Sequence, residues 1–173
     1  MMVMQAGAHA GVDAFADPDA AFGAIEALVP NVVKNYNTGS EMVSLISTGE
    51  ATVAVAQDFT LASLREAVPT MEWAALAEGD IATLNTVNIP TGAANPALAH
   101  QFIDFILSTE VQQVNAEQGV DAPANAEVTL TPEQAAIWTY GADAIGALNR
   151  VDYTAMNAAK DDWIDRWTEV FGM

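Results

Sequence analysis

Two histidines, no cysteine and 23 carboxylates are the raw material for chemistry in this chain of 173 residues. A serine-type triad needs a histidine base held against a nucleophile on a sharp turn. Neither His9 nor His100 has that setting, and no Gly-x-Ser-x-Gly elbow occurs. Without cysteine, disulfides, thiolate nucleophiles and thiolate metal sites are excluded. His9 and Asp13 stand four residues apart, on one helical face, but two ligands do not close a metal site. Neither glycine-rich phosphate loop is present, which disfavours nucleotide binding. Carboxylates are plentiful, yet no pair stands out from a solvated background as general acid and base. The expectation is no catalytic residue, no metal and no cofactor.

What remains is a set of polar side chains at the ends of apolar segments. Gln57 and Asp58 follow the run EATVAVAQ; Thr83 and Asn85 lie along TLNTVNIP; Thr38 and Ser40 open a helix; Asp152 precedes the last helix. In open α/β sheets small ligands sit outside the carboxyl ends of strands, where helix N-termini offer free N–H groups. These positions suit such a site, and each is equally suited to an ordinary helix cap or turn.

The elements that must position them follow from periodicity. Asp17-Pro18 reads as an N-cap and first-turn proline ahead of Phe22, Ile25, Leu28 and Val29 on one helical face. Thr38-Gly39-Ser40-Glu41 has capping-box spacing, Met42, Leu45 and Ile46 form the buried stripe, and Gly49 suits a left-handed stop. Residues 50–57 and 81–89 read as strands and 70–78 as a third, alternating with a helix that carries Leu61 and Leu64 and has Asp58 as its cap. Asn95-Pro96 opens a helix with Leu98, Phe102, Ile103, Phe105 and Ile106 on one side, and Ser108 starts another that ends near Gly119. Residues 120–130 are loop; Thr131-Pro132-Glu133-Gln134 is a second capping box, and Asp152 caps a helix carrying Met156, Trp163, Trp167 and Val170. Alternating strands and helices predict an α/β fold, a mixed or parallel sheet flanked by helices.

A formal charge of −18 repels nucleic acid and anionic lipid, while attracting cationic solutes or simply keeping the surface soluble. No run reaches the ~18–20 apolar residues of a membrane span, and MMVMQAGAHAGVDAF lacks the basic region of a secretory signal. An abrupt start inside a helical pattern suggests a piece of something larger.

Three stretches carry a resemblance: NVVKNYNTGSEMVSLISTGEATVAVAQ, then TLNTVNIPTGAANPALAHQFIDFILSTEVQQVNAEQGVDAPAN, then YGADAIGALNRVDYTAMNAAKDDWIDRWTEVF. They resemble the C-terminal half of bacterial extracellular solute-binding proteins of the spermidine/putrescine-binding type. The resemblance implies two α/β lobes of the type II periplasmic-binding fold, with a solute gripped between them and delivered to the membrane subunits of an ABC importer. By that resemblance residues 1–84 are the first part of the second lobe, 85–129 a fragment of the first lobe after a hinge strand, and 130–173 the closing helices of the second. The N-terminal half of the same protein would be a partner, and the location periplasmic.

It also implies a ligand-binding set of Gln57, Asp58, Thr83 and Asn85, followed by Thr38, Ser40 and Asp152. Polyamine-binding members carry an aromatic residue at the position of Gln57, tryptophan and aspartate at those of Thr83 and Asn85, and a tyrosine near Val120. Amides and hydroxyls in their place predict a smaller or more hydrogen-bonding solute, polar or cationic. The alternative is a free-standing interaction domain of the same fold that binds no solute.

Overall fold

A computed structural model describes residues 1–172. The described chain consists of helices joined by extended segments: α1 (Met2–His9), α2 (Pro18–Leu28), α3 (Gly39–Ser47), α4 (Thr60–Ala67), α5 (Pro96–Ile106), α6 (Thr109–Glu117), α7 (Pro132–Ala135), α8 (Ala142–Gly146) and α9 (Tyr153–Phe171), with a 3-10 turn at Val29–Asn31. The caps form as the local sequence dictates. Asp17 accepts from Ala20 N–H, Thr38 from Glu41 N–H, Asn95 from Leu98 N–H and Ser108 from Val111 N–H. Thr131 and Gln134 close a full capping box. Each cap satisfies an N–H group that the helix geometry leaves without an intrahelical partner.

The expected mixed sheet flanked by helices is absent: among the described residues no sheet forms, and the one β-bridge is a parallel pair between Ile81 and Asn149. Two bonds make that bridge, Ala82 N–H to the Asn149 carbonyl (2.9 Å) and Asn149 N–H to the Asp80 carbonyl (2.8 Å). The physical reason is that extended propensity is local, whereas a ladder needs a neighbouring strand for its N–H and C=O groups. Beyond the bridge at Ile81, the apolar runs at 50–57 and 81–89 enter no sheet, and Val53 is 83%, Val55 66% and Leu84 73% exposed. The run at 70–78 is likewise irregular.

The chain divides into two compact units. The first comprises 1–36, 74–83 and 147–173. Its core gathers Val3 and Ala6 of α1, Ala14, Ala21, Phe22 and Ile25 around Trp163 of α9. Gly7 permits the close approach of α1 to the following loop, since a Cβ there would stand 2.8 Å from that of Ala14. Trp163 stacks on Phe15 with centroids 5.0 Å apart, and Trp167 packs against the same cluster, so both tryptophans serve the core. Arg166 lies 4.3 Å from the centroid of the Phe22 ring and 3.0 Å from the Asp19 carboxylate. His9 Nδ1 meets Glu78 Oε1 at 2.8 Å, and Asn149 Nδ2 donates to the carbonyls of Glu78 and Gly79. The bond to His9, with the Glu78 backbone N–H second, holds the Glu78 carboxyl below the ordinary carboxylate range.

The second unit comprises 37–73 and 84–146. Ala116, Val128, Leu130 and Trp138 form its core, with Phe59, Ala122, Ala135, Ile137 and Tyr140 packed around them. Trp138 Nε1–H donates to the Ala116 carbonyl (3.2 Å) and the Tyr140 hydroxyl donates to the Val128 carbonyl (2.8 Å), so the polar tips of both aromatics are satisfied. α3 packs on α4, and Met42 and Ile46 of the one and Leu61 and Leu64 of the other are buried. α5 differs from these helices. It buries none of its residues, and Leu98, Phe102 and Phe105 are all more than half exposed although the helix is strongly amphipathic.

Candidate functional site

Five of the seven residues expected to bind solute fall in the second unit: Thr38, Ser40, Gln57, Asp58 and Asn85. Thr83 and Asp152 belong to the first. Asp152 is occupied as the cap of α9, accepting from Thr154 N–H (2.9 Å) and Ala155 N–H (3.0 Å). Thr38 is likewise the cap of α3, at 3.2 Å from Glu41 N, while the Glu41 carboxylate accepts from Asn37 N–H.

Gln57 and Asp58 form the turn into α4. The Gln57 carbonyl accepts the Thr60 hydroxyl at 2.6 Å. Asp58 accepts from Phe59 N–H (2.9 Å) with one carboxylate oxygen and from Thr139 N–H (3.2 Å) with the other. It thus ties the start of α4 to the loop after α7, a long-range bond rather than the helix cap its sequence position suggests. Beside this turn runs an open groove of about 640 Å³ between α3 and α4, lined by Ser40, Val43, Phe59, Thr60, Ser63 and Glu66 among others. Ser40, Ser63 and Glu66 are exposed hydroxyl and carboxylate groups, and Phe59 gives the groove an apolar wall. Such a mixture of a few polar groups on an apolar wall is the usual composition of a small-molecule site.

Asn85 has a partner that sequence reasoning did not identify. Its Nδ2 donates to Asp121 Oδ2 in a short hydrogen bond, while Asp121 Oδ1 accepts from Ala122 N–H at 2.9 Å. Asp121 sits in the loop after α6. That loop is anchored by Ala122 on the core around Trp138, and at Gly119 it comes against α4, where a Cβ would lie 3.4 Å from that of Ala62. Phe59 packs on the same core, so the Gln57–Asp58 turn and the Asp121 loop share one support. The signal available in the sequence was weak: a single aspartate two residues beyond the glycine that ends a helix. No group of three or more His, Asp or Glu side chains suited to a metal ion occurs among the described residues. The first unit has an apolar groove of about 430 Å³ between α1 and α9, lined by Met1, Met2, Trp163 and Trp167, which offers few polar groups for orienting a solute.

A family model described as bacterial extracellular solute-binding protein matches residues 2–121, a stretch that includes the α3–α4 groove, the Gln57–Asp58 turn, Asn85 and Asp121. The chain belongs to that family. A crystal structure of an ABC transporter from Clostridium perfringens superposes with a TM-score of 0.82 at 36% sequence identity, covering 98% of this chain and 54% of that one. The chain therefore spans about half the length of that structure. No curated protein sequence matches it.

Proposed function

We propose that this chain forms part of the solute-binding component of an ABC importer, holding a small polar or cationic solute without transforming it. The match to a solute-binding family over residues 2–121 carries the reading, because those residues contain the groove and the Asn85–Asp121 pair. The likeness to an ABC transporter structure supports a partnership with importer membrane subunits, and an extracellular family supports a periplasmic location. The resemblance to polyamine-binding receptors favours amine or amide solutes, with Gln57, Asp58 and Asn85 in contact with them and Ser40 beside them. A binding cleft works by complementarity and needs no nucleophile.

The uncovered apolar face of α5 supports a further polypeptide segment packing there, which we assign to the remaining half of the same receptor. The same exposed face is the observation that favours the second reading, an interaction domain that takes a protein partner and no solute. Thermal-shift titration with polyamines, amino acids and sugars separates the two. Solute binding raises the midpoint, and Asn85→Leu, which removes an amide that hydrogen-bonds the solute, weakens binding by about 1 kcal/mol. A flat response to the whole panel refutes the solute-binding reading.

A further inference from the structure

We propose that the groove between α1 and α9 binds a small apolar carboxylate, an alkyl or aryl acid whose hydrocarbon part lies on Trp167 and Ile164 and whose anion meets Lys160. The groove lies wholly in the first unit, and the proposal stands apart from the solute-binding reading. Its volume of about 430 Å³ falls in the range of small-molecule pockets, ~300–1,000 Å³. Three methionines, Met1, Met2 and Met156, wall it together with the indoles of Trp163 and Trp167. Flexible thioethers beside aromatic rings adapt to hydrocarbon of varied shape. Ile164 is 51% exposed and Met1 43%, so apolar surface is left in water at a concavity.

The charge around the groove decides which ligand class fits. On α9 the lining residues Met156, Lys160, Trp163, Ile164, Trp167 and Thr168 recur every three or four positions and share one face. The acidic side chains of the same stretch, Asp161, Asp162, Asp165 and Glu169, fall on the opposite face at about 100° per residue. Among the described residues no carboxylate lines the groove, in a chain that carries 23. Lys160 is the one ionised side chain in that lining, and among the described residues its ammonium makes no ion pair or hydrogen bond. Thr168 donates its hydroxyl hydrogen to the Ile164 carbonyl (2.9 Å) and presents only its oxygen. Lys160 and Thr168 stand eight residues apart, about 12 Å along the helix axis, so the apolar floor between them takes a hydrocarbon chain of several carbons with its charge at one end. The net charge of −18 opposes an anion only at long range, because salt screens exposed charges beyond about 8 Å at physiological ionic strength. At contact the ammonium makes a charge-assisted bond to a carboxylate and repels an amine.

The test is an NMR titration of the chain at pH 7 with hexanoate, octanoate and octylammonium, followed at the Trp163 and Trp167 indole N–H and the Met2 and Met156 methyl signals. Octanoate is expected to shift these saturably and to bind about fourfold or more tighter than hexanoate, since each methylene contributes up to about fourfold when fully buried. Lys160→Met keeps the apolar stem and removes the charge; it should weaken octanoate at least about fivefold, while Lys160→Arg retains binding. Ile164→Asp sets a carboxylate on the groove floor and should abolish octanoate binding. Both positions are exposed, so circular dichroism should stay unchanged in all three variants. Octanoate affinity indifferent to Lys160→Met, octylammonium binding at the same signals as tightly as octanoate, or no shift from either acid overturns the proposal. Shifts of the same signals on raising the protein concentration alone would show a second copy in the groove and overturn it as well.

Discussion

Replacing Trp138 probes the support beneath the candidate site. The side chain is 7% exposed, fills the centre of the Ala116–Val128–Leu130 cluster, and donates its indole N–H to the Ala116 carbonyl. Trp138→Ala removes the ring and leaves a cavity, which for a buried tryptophan costs about 3–5 kcal/mol. Trp138→Phe keeps most of the apolar volume and loses the donor. The Ala116 carbonyl still accepts from Gly119 N–H at 3.3 Å, so it is not orphaned, and the lost bond is worth about 1 kcal/mol. Hydrogen exchange followed by mass spectrometry reads both. In Trp138→Ala, peptides covering 111–130 should exchange faster by about two orders of magnitude or more, since 1.4 kcal/mol is about tenfold in an opening equilibrium. In Trp138→Phe the change should be about fivefold. If Trp138→Ala shifted these peptides by less than tenfold, or if phenylalanine cost as much as alanine, the cluster would not be what holds the Asp121 loop.

Other substitutions test separate parts of the account. Phe22→Ala should destabilise the first unit by about 3–5 kcal/mol, seen as faster exchange in peptides from 1–28, because Phe22 is 1% exposed and carries the Arg166 contact. Gly49→Ala should lower the urea midpoint by an amount equivalent to about 1–2 kcal/mol: φ is +76° and no neighbour approaches within 4 Å, so the cost is conformational alone. His9→Ala should raise the Glu78 carboxyl toward 4.5 in an NMR titration. Because the folded value is depressed, the stability that Glu78 contributes is present above the unfolded value and is lost as pH falls through the folded one. The destabilisation by His9→Ala should therefore be visible at pH 6 and vanish at strongly acidic pH.

Helix ends were legible in the sequence because capping is decided within three or four residues. Asp17, Thr38, Asn95, Ser108, Thr131 and Asp152 each cap the helix they precede. The cores of α2 and α9 were legible for the same reason, through the spacing of Phe22, Ile25, Trp163 and Trp167. The strands were not. Val53, Val55 and Leu84 have the residue types of a sheet, but pairing is a property of two segments, and the described chain sets no second strand beside them. Long-range bonds were equally hidden. Asp58 reads as a helix cap yet reaches Thr139, and nothing local to Asn85 announces Asp121, which lies 36 residues away. Five of the seven expected site residues share a unit, while Thr38 and Asp152 are engaged as helix caps.

A receptor differs from an enzyme in what it returns. The most direct measurement is equilibrium dialysis of the purified protein against a mixture of amines, amides and sugars, with mass spectrometry of whatever is retained and then released by denaturation. The proposed role predicts that one solute class is concentrated on the protein and comes back with its mass unchanged. Release of a chemically altered compound, or retention no greater than that of a control protein, would contradict it.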